Sequence, residues 1–323
     1  MVSADMQNKP RILLTGSSGF VGSALAAALL REGESLVCPV RRSAPADNER
    51  ICYPVTGDFT TATDWRPYLD ADGIVIHCAA RVHVMNDTAS DPLAAFRSMN
   101  VDATLHLARQ AATCGVRQFV FLSSVKVNGE HTATGQRFTE NDASQAHDPY
   151  GISKLEAEQA LLTLGKETGM AITIIRPPLV YGPGVKANFA SMMRWVKKGI
   201  PLPFGTIHNQ RSLVYVGNLV SLISACLRHP QAAQQIFLVS DGQDLSTSEL
   251  LRHCAQALGV PSRLLPCPPQ WIQMAARLAG KPGVAARLCA SLQVDISKAR
   301  SLLGWEPPYS VEQGLSATAA SFR

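Results

Sequence analysis

Tyr150 and Lys154 stand four residues apart in the run Tyr150-Gly151-Ile152-Ser153-Lys154. On a helix, side chains at that spacing are neighbours on one face. Asp148 reads as an N-cap and Pro149 suits the first helical position, so the pattern predicts a helix from Tyr150 to Lys166. A free tyrosine titrates near about 10, and a cation within roughly 4–6 Å favours its phenolate and eases proton transfer at neutral pH. The pair therefore predicts a proton donor and a group that tunes it. The serines Ser123-Ser124, which end a predicted strand at Gln118–Leu122, supply hydroxyls at a strand's carboxyl end.

The elements that must hold these groups start with Arg11–Thr15, a short apolar run read as a strand, followed by a helix-patterned stretch from Phe20 to Arg31. Between them Gly16, Gly19 and Gly22 are spaced three and three, in a strand–turn–helix context. That spacing lets the chain turn tightly, lets backbone approach a pyrophosphate, and aims a helix N-terminus at negative charge. The turn predicts a dinucleotide site. A second strand, Ser35–Val40, ends in Arg41-Arg42 where NAD-preferring chains carry an acid, and guanidiniums suit a 2′-phosphate, so NADP is expected and NAD is the alternative.

A strand at Ile51–Thr56 leads into Gly57-Asp58-Phe59, where Asp58 is read as an adenine acceptor or a loop cap. The apolar strand Gly73–His77 ends in Cys78-Ala79-Ala80, small enough for a cofactor to pass close to backbone. A helix is expected over Pro92–Cys114; its Asn100 either orients a water or a neighbouring loop, or is simply exposed. The polar loop Val125–His147 delivers the chain to Tyr150. With a further strand at Ala171–Ile175, six strands alternate with helices, which predicts a doubly wound parallel α/β sheet of Rossmann type.

The rhythm changes near residue 183, so a dinucleotide-binding domain over 1–182 and a smaller α/β substrate-binding lobe over 183–323 are expected, with some exchange of segments. In the second part, helix-like Phe189–Lys198 and Asn218–Arg228 alternate with strands at Ser212–Val216 and Gln235–Val239, and Ser246 with Glu249 forms a capping box. A formal charge of +5 is too small and dispersed to argue for nucleic acid. Met1–Pro10 lacks an apolar signal core and Ala24–Leu30 is far too short for a membrane span, so a cytoplasmic location is expected. Eight scattered cysteines indicate neither a zinc site nor a disulfide framework, and no metal is expected.

With Thr15-Gly-Ser-Ser-Gly-Phe-Val-Gly22, Asp58, Ser124 and Tyr150-Gly-Ile-Ser-Lys154 in place, the chain resembles the extended short-chain dehydrogenase/reductases that act on nucleotide sugars, over nearly its whole length. The resemblance implies that Ser124 hydrogen-bonds the reacting oxygen, Tyr150 exchanges the proton, and Lys154 binds the nicotinamide ribose while lowering the tyrosine pKa. It also implies cofactor contacts from Gly16, Ser18, Gly19, Phe20, Val21, Gly22, Arg41, Arg42, Asp58 and Phe59, from Cys78, Ala79, Ala80 and Asn100, and from Pro177 and Leu179. For a UDP-sugar substrate it implies Ser124, Lys126, Asn188, Leu202, Phe204, Arg211 and Arg287. A homodimer is expected by the same resemblance.

Departures from family patterns narrow the activity. Sugar-nucleotide 4,6-dehydratases carry Asp-Glu directly after the catalytic hydroxyl, where this chain has Val125 and Lys126. The 4-epimerases that hold NAD carry an acid after the second strand, where this chain has Arg41. The runs Ser123–Glu130 and Phe237–Gly242 are most similar to the UDP-4-keto-6-deoxy-N-acetylhexosamine 4-reductases of bacterial O-antigen synthesis. The expectation is thus NADPH-dependent reduction of a C4 ketone to UDP-N-acetylquinovosamine or UDP-N-acetylfucosamine. A UDP-sugar 4-epimerase is the alternative, and a non-catalytic cofactor-sensing protein a third.

Overall fold

The computed structural model describes residues 10–43, 46–82, 91–278, 280 and 282–322. In chain order it begins with β1 (Ile12–Thr15), α1 (Phe20–Arg31), β2 (Leu36–Val37), β3 (Ile51–Cys52), β4 (Ile74–His77), α2 (Pro92–Arg97), α3 (Ala103–Thr113) and β5 (Gln118–Leu122). There follow α4 (Pro149–Thr168), β6 (Ala171–Arg176), β7 (Leu179–Tyr181), α5 (Ala187–Lys197), β8 (Leu213–Tyr215), α6 (Val216–Arg228) and β9 (Gln235–Leu238). The chain closes with α7 (Thr247–Leu258), α8 (Pro269–Leu278), α9 (Pro282–Cys289), α10 (Ser297–Leu303) and α11 (Val311–Ala320).

The main sheet has seven strands in the order β3-β2-β1-β4-β5-β6-β9, and the expected doubly wound α/β fold is borne out. Every pairing from β3 to β6 is parallel. Thr15 of β1 lies level with His77 of β4, so the chain leaves both strands side by side where the strand order reverses, the place such sheets use for ligands. The central strands are mostly apolar because helices cover both faces: Leu13, Val75, Phe119, Phe121, Ile172 and Ile174 are all buried in one core with Leu107, Ala157 and Leu161.

The structure departs from the sequence reading in three places. The second and third strands are shorter than expected, since Pro39 and Pro54 lack the N–H that would extend the ladder, leaving an isolated bridge between Val40 and Val55. The helix expected over Pro92–Cys114 is broken by a π-helical turn at Ser98–Asp102. The sheet has a seventh strand, because β9, far along the chain, joins it beside β6.

Two compact units are distinguished. One comprises the chain up to Val127, Ser144–Arg176 and Ile223–Phe237; the other comprises Asn128–Ala143, Pro177–Leu222 and Leu238–Arg323. In the second unit β7 pairs with β8, and a buried carboxylate, Asp241, ties it together: it accepts from the Tyr181 hydroxyl (2.8 Å), the Tyr215 amide (2.7 Å) and Asn218 Nδ2 (2.7 Å). Ser246 and Glu249 form the expected capping box at the start of α7.

Candidate active site

Helix α4 starts where the sequence places it. The Asp148 carboxylate accepts hydrogen bonds from the Tyr150 and Gly151 amides, both at 3.1 Å, with Pro149 in the first turn. Gly151 lets the helix sit against the preceding turn, for a Cβ there would stand 3.1 Å from the Lys126 carbonyl oxygen. Tyr150 and Lys154 then share a face, with Lys154 Nζ 6.0 Å from the centre of the tyrosine ring. Ser124 reaches the same point from the end of β5, its hydroxyl hydrogen-bonded to the Tyr150 phenol. The three residues read as catalytic are thus brought together within the first unit.

Their electrostatics differ from the simplest reading. Burial, reinforced by the Asp148 charge, pushes the Tyr150 phenol up to about 12, and the Ser124 hydrogen bond only partly offsets this. Lys154 is not what sets the phenol. Its ammonium donates to the Leu122 carbonyl (2.8 Å) and lies 4.2 Å over the Phe121 ring, and burial lowers it to about 8 against the pull of Cys78 and Glu158. The expected lowering by the cation is not among the influences on the phenol: burial leads, and the net shift is upward.

Around this triad lies a layer that the sequence reading passed over. Glu158, one further turn along α4, is buried, accepts from the Ser123 hydroxyl and forms a forked ion pair with Arg176 at 3.0 Å (Nε) and 2.6 Å (Nη2). The signal was present, since Tyr150, Lys154 and Glu158 recur at four-residue intervals on one helix face. His77 hydrogen-bonds Thr15 (2.6 Å) and Thr104 (2.9 Å), and burial lowers it to about 3, so it is a neutral strut. Asn100 is buried, not exposed: it accepts from the Arg81 amide (2.8 Å) and donates to the Arg81 carbonyl (3.1 Å) and Ser153 Oγ (3.0 Å). The π turn accompanies this inward side chain, which links the segment after β4 to the catalytic helix.

The glycine turn fits a dinucleotide. Gly16 has φ +74°, and a Cβ there would meet the Ala79 amide nitrogen at 2.7 Å; one on Gly22 would stand 2.1 Å from the Gly16 carbonyl oxygen. Helix α1 starts at Gly19 with no side chain capping its amides, which suits a pyrophosphate. Ser18 is exposed and Phe20 and Val21 are half-buried along this turn, with Cys78, Ala79 and Ala80 half-buried beside it. Arg41 and Arg42 are exposed after β2 and pair with no acid among the described residues, and Asp58 is exposed too. Phe59 belongs partly to the core: its ring stacks on His77 at 5.0 Å and lies 5.3 Å from Trp65. Lys126, expected to meet substrate, has its ammonium on Asp148 at 2.9 Å.

The residues read as substrate contacts in the second unit are spread over several elements. Asn188 is exposed at the start of α5; of the two residues expected at the cofactor, Leu179 is exposed on β7 and Pro177 is buried just before it. Leu202 is buried in a bridge to Leu264, and Phe204 packs against Ile207 and Ile272. Arg211 donates to the carbonyls of Arg287 (2.7 Å) and Ala290 (3.0 Å), and burial together with the Arg287 charge lowers its pKa. Arg211 thus rests on the Arg287 backbone and feels the charge of its side chain.

Comparison with known proteins agrees with this architecture. The profile of the NAD dependent epimerase/dehydratase family matches residues 12–240. A Vibrio cholerae protein named UDP-glucose 4-epimerase is 47% identical over 100% of this chain and 98% of its own length. An Escherichia coli O157:H7 protein named N-acetyl-alpha-D-glucosaminyl-diphospho-ditrans,octacis-undecaprenol 4-epimerase is 27% identical over 95% of this chain and 93% of its own. Among solved structures, a UDP-glucuronic acid 4-epimerase from Bacillus cereus in complex with NAD superposes with a TM-score of 0.77 at 22% identity, covering 96% of both chains.

Proposed function

This chain belongs to the NAD dependent epimerase/dehydratase family, as an enzyme with an NAD(P) nucleotide cofactor, and on that premise we propose that it is a UDP-sugar 4-epimerase. The observation that carries the reading is the 47% identity, over essentially the whole of both chains, to the Vibrio cholerae protein named UDP-glucose 4-epimerase. The cluster of Ser124, Tyr150 and Lys154 supplies chemistry suited to it.

In the proposed reaction Tyr150, in its phenolate form, takes the proton of the sugar's C4 hydroxyl, Ser124 hydrogen-bonds the same oxygen, and a 4-keto sugar results. Gly16, Gly19 and Gly22 would cradle a nicotinamide cofactor, which would supply reversible redox chemistry at C4. After the sugar has turned its other face, Tyr150 gives the proton back to the oxygen and the opposite C4 epimer leaves. Proton exchange and hydrogen-bond stabilisation of the oxygen each commonly contribute about 10²–10⁴-fold. Lys154, fixed by the Leu122 carbonyl, holds positive charge beneath the tyrosine and is assigned to the cofactor ribose. Arg211 and Arg287 are assigned to the substrate diphosphate, since paired guanidiniums bind phosphate oxygens well, and Asn188, Leu202 and Phe204 to the nucleoside.

A second reading is favoured by a specific observation. Arg41 and Arg42 are exposed and unmatched by an acid where NAD-preferring chains carry one, which supports NADPH and hence one-way reduction of a UDP-4-keto-6-deoxy-N-acetylhexosamine. Incubating the protein with UDP-glucose or UDP-N-acetylglucosamine and no added cofactor separates the two. The epimerase yields the galacto epimer; the reductase yields none and consumes NADPH against the 4-keto sugar.

A further inference from the structure

We infer that α8 is a membrane-surface docking helix, laid with Trp271, Met274 and Leu278 in the headgroup boundary of an anionic phospholipid bilayer. These three side chains are 66%, 58% and 85% exposed, although each is large and apolar. At positions i, i+3 and i+7 they form one stripe, and Ala275, also exposed, lies within it. The opposite face is the one that packs: Ile272 is buried against Ile207, with Ala276 alongside. The helix thus covers the protein with one apolar face and offers a second to solvent, where isolated exposed apolar residues would need no account but a contiguous row does. Trp at the edge of an apolar face and cations on the polar face are the composition of interfacial helices.

Charge identifies the occupant. From Leu250 to Val294 the chain holds Arg252, Arg263, Arg277, Lys281 and Arg287 and no aspartate or glutamate, so this stretch alone carries +5, equal to the formal charge of the entire chain. Arg277 is exposed on α8 itself and borders Met274 around the helix. A second copy meeting this face about a twofold axis would set Arg277 against the same cations and be repelled. An anionic bilayer meets both the apolar stripe and the positive rim, each cation near such a surface being worth about fivefold in partition at physiological ionic strength. No described helix is long and apolar enough to cross a membrane, so the attachment is peripheral.

The test is sedimentation of the full chain with phosphatidylcholine vesicles, with and without about one-third phosphatidylglycerol. Binding is expected to the anionic vesicles, weakened in about 0.5 M salt. The triple variant W271S/M274S/L278S should bind at least about tenfold more weakly while keeping the wild-type melting temperature and turnover on soluble substrate. Should that variant fail to fold, Arg277→Glu, which leaves the stripe intact, is expected to lower partition by roughly fivefold or more. Failure to sediment with either vesicle, undiminished binding by both variants, or a stripe variant that loses self-association in size-exclusion chromatography would each overturn the inference, the last by identifying a second copy as the occupant.

Discussion

Replacing Lys154 by methionine tests whether burial governs the site's electrostatics. In the folded chain the ammonium is 1% exposed and lowered to about 8, against 10.5 when free. The folded state therefore holds fewer protons than the unfolded state between those values, so the wild type gains stability as pH rises through that window. From pH 7 to pH 10 the window spans about two pH units, and at 1.36 kcal/mol per unit the gain is about 3 kcal/mol. Lys154→Met lacks it. Neighbours do not confuse the comparison: His77, lowered to about 3, and Cys78, raised to about 12 by burial, titrate below and above the window in the folded state, and Tyr150 is common to both proteins. The measurement is urea unfolding of both proteins at pH 7 and pH 10. Wild-type stability relative to the variant should increase by about 3 kcal/mol. A difference that stays constant within about 0.5 kcal/mol would refute the idea that desolvation sets this lysine.

Tyr150→Phe removes the phenol while leaving the Gly16–Gly22 turn untouched; turnover should fall by at least about 10²-fold with the cofactor dissociation constant nearly unchanged, as steady-state kinetics and fluorescence titration would show. Glu158→Ala removes the carboxylate from a buried ion pair in which Arg176 is 6% and Glu158 2% exposed, and should cost about 3–5 kcal/mol in urea unfolding. Replacing the pair together, Glu158→Leu with Arg176→Met, should cost much less, because both buried charges go at once. Exchanging Arg41 and Arg42 for alanine should weaken NADPH about tenfold relative to NADH if these guanidiniums meet a 2′-phosphate; an unchanged ratio of dissociation constants removes them from cofactor choice.

Local chemistry made much of the first unit legible. A helix start announced by Asp148 and Pro149, a glycine turn whose Cβ atoms have no room, and apolar strands buried on both faces are each determined by near neighbours in the chain. What escaped reading depends on distant partners. Asn100 looks like any polar helix residue until Arg81 and Ser153 come beside it, and Glu158 like a surface acid until Arg176 arrives from β6. The phenol's rise followed from burial, a property of the whole packed layer that no spacing between Tyr150 and Lys154 contains. Likewise β9 has an ordinary strand pattern, and only the assembled sheet reveals that it completes the edge beside β6.

Reversible exchange at C4 by Tyr150 and Ser124 requires a cofactor that stays bound through the cycle. Its most direct test is NMR analysis of the purified protein incubated with UDP-glucose or UDP-N-acetylglucosamine and no added nucleotide. The corresponding galacto sugar is expected in catalytic amounts. No epimer from either sugar, together with stoichiometric oxidation of NADPH by a UDP-4-keto-6-deoxy-N-acetylhexosamine, would contradict it and establish one-way reduction instead.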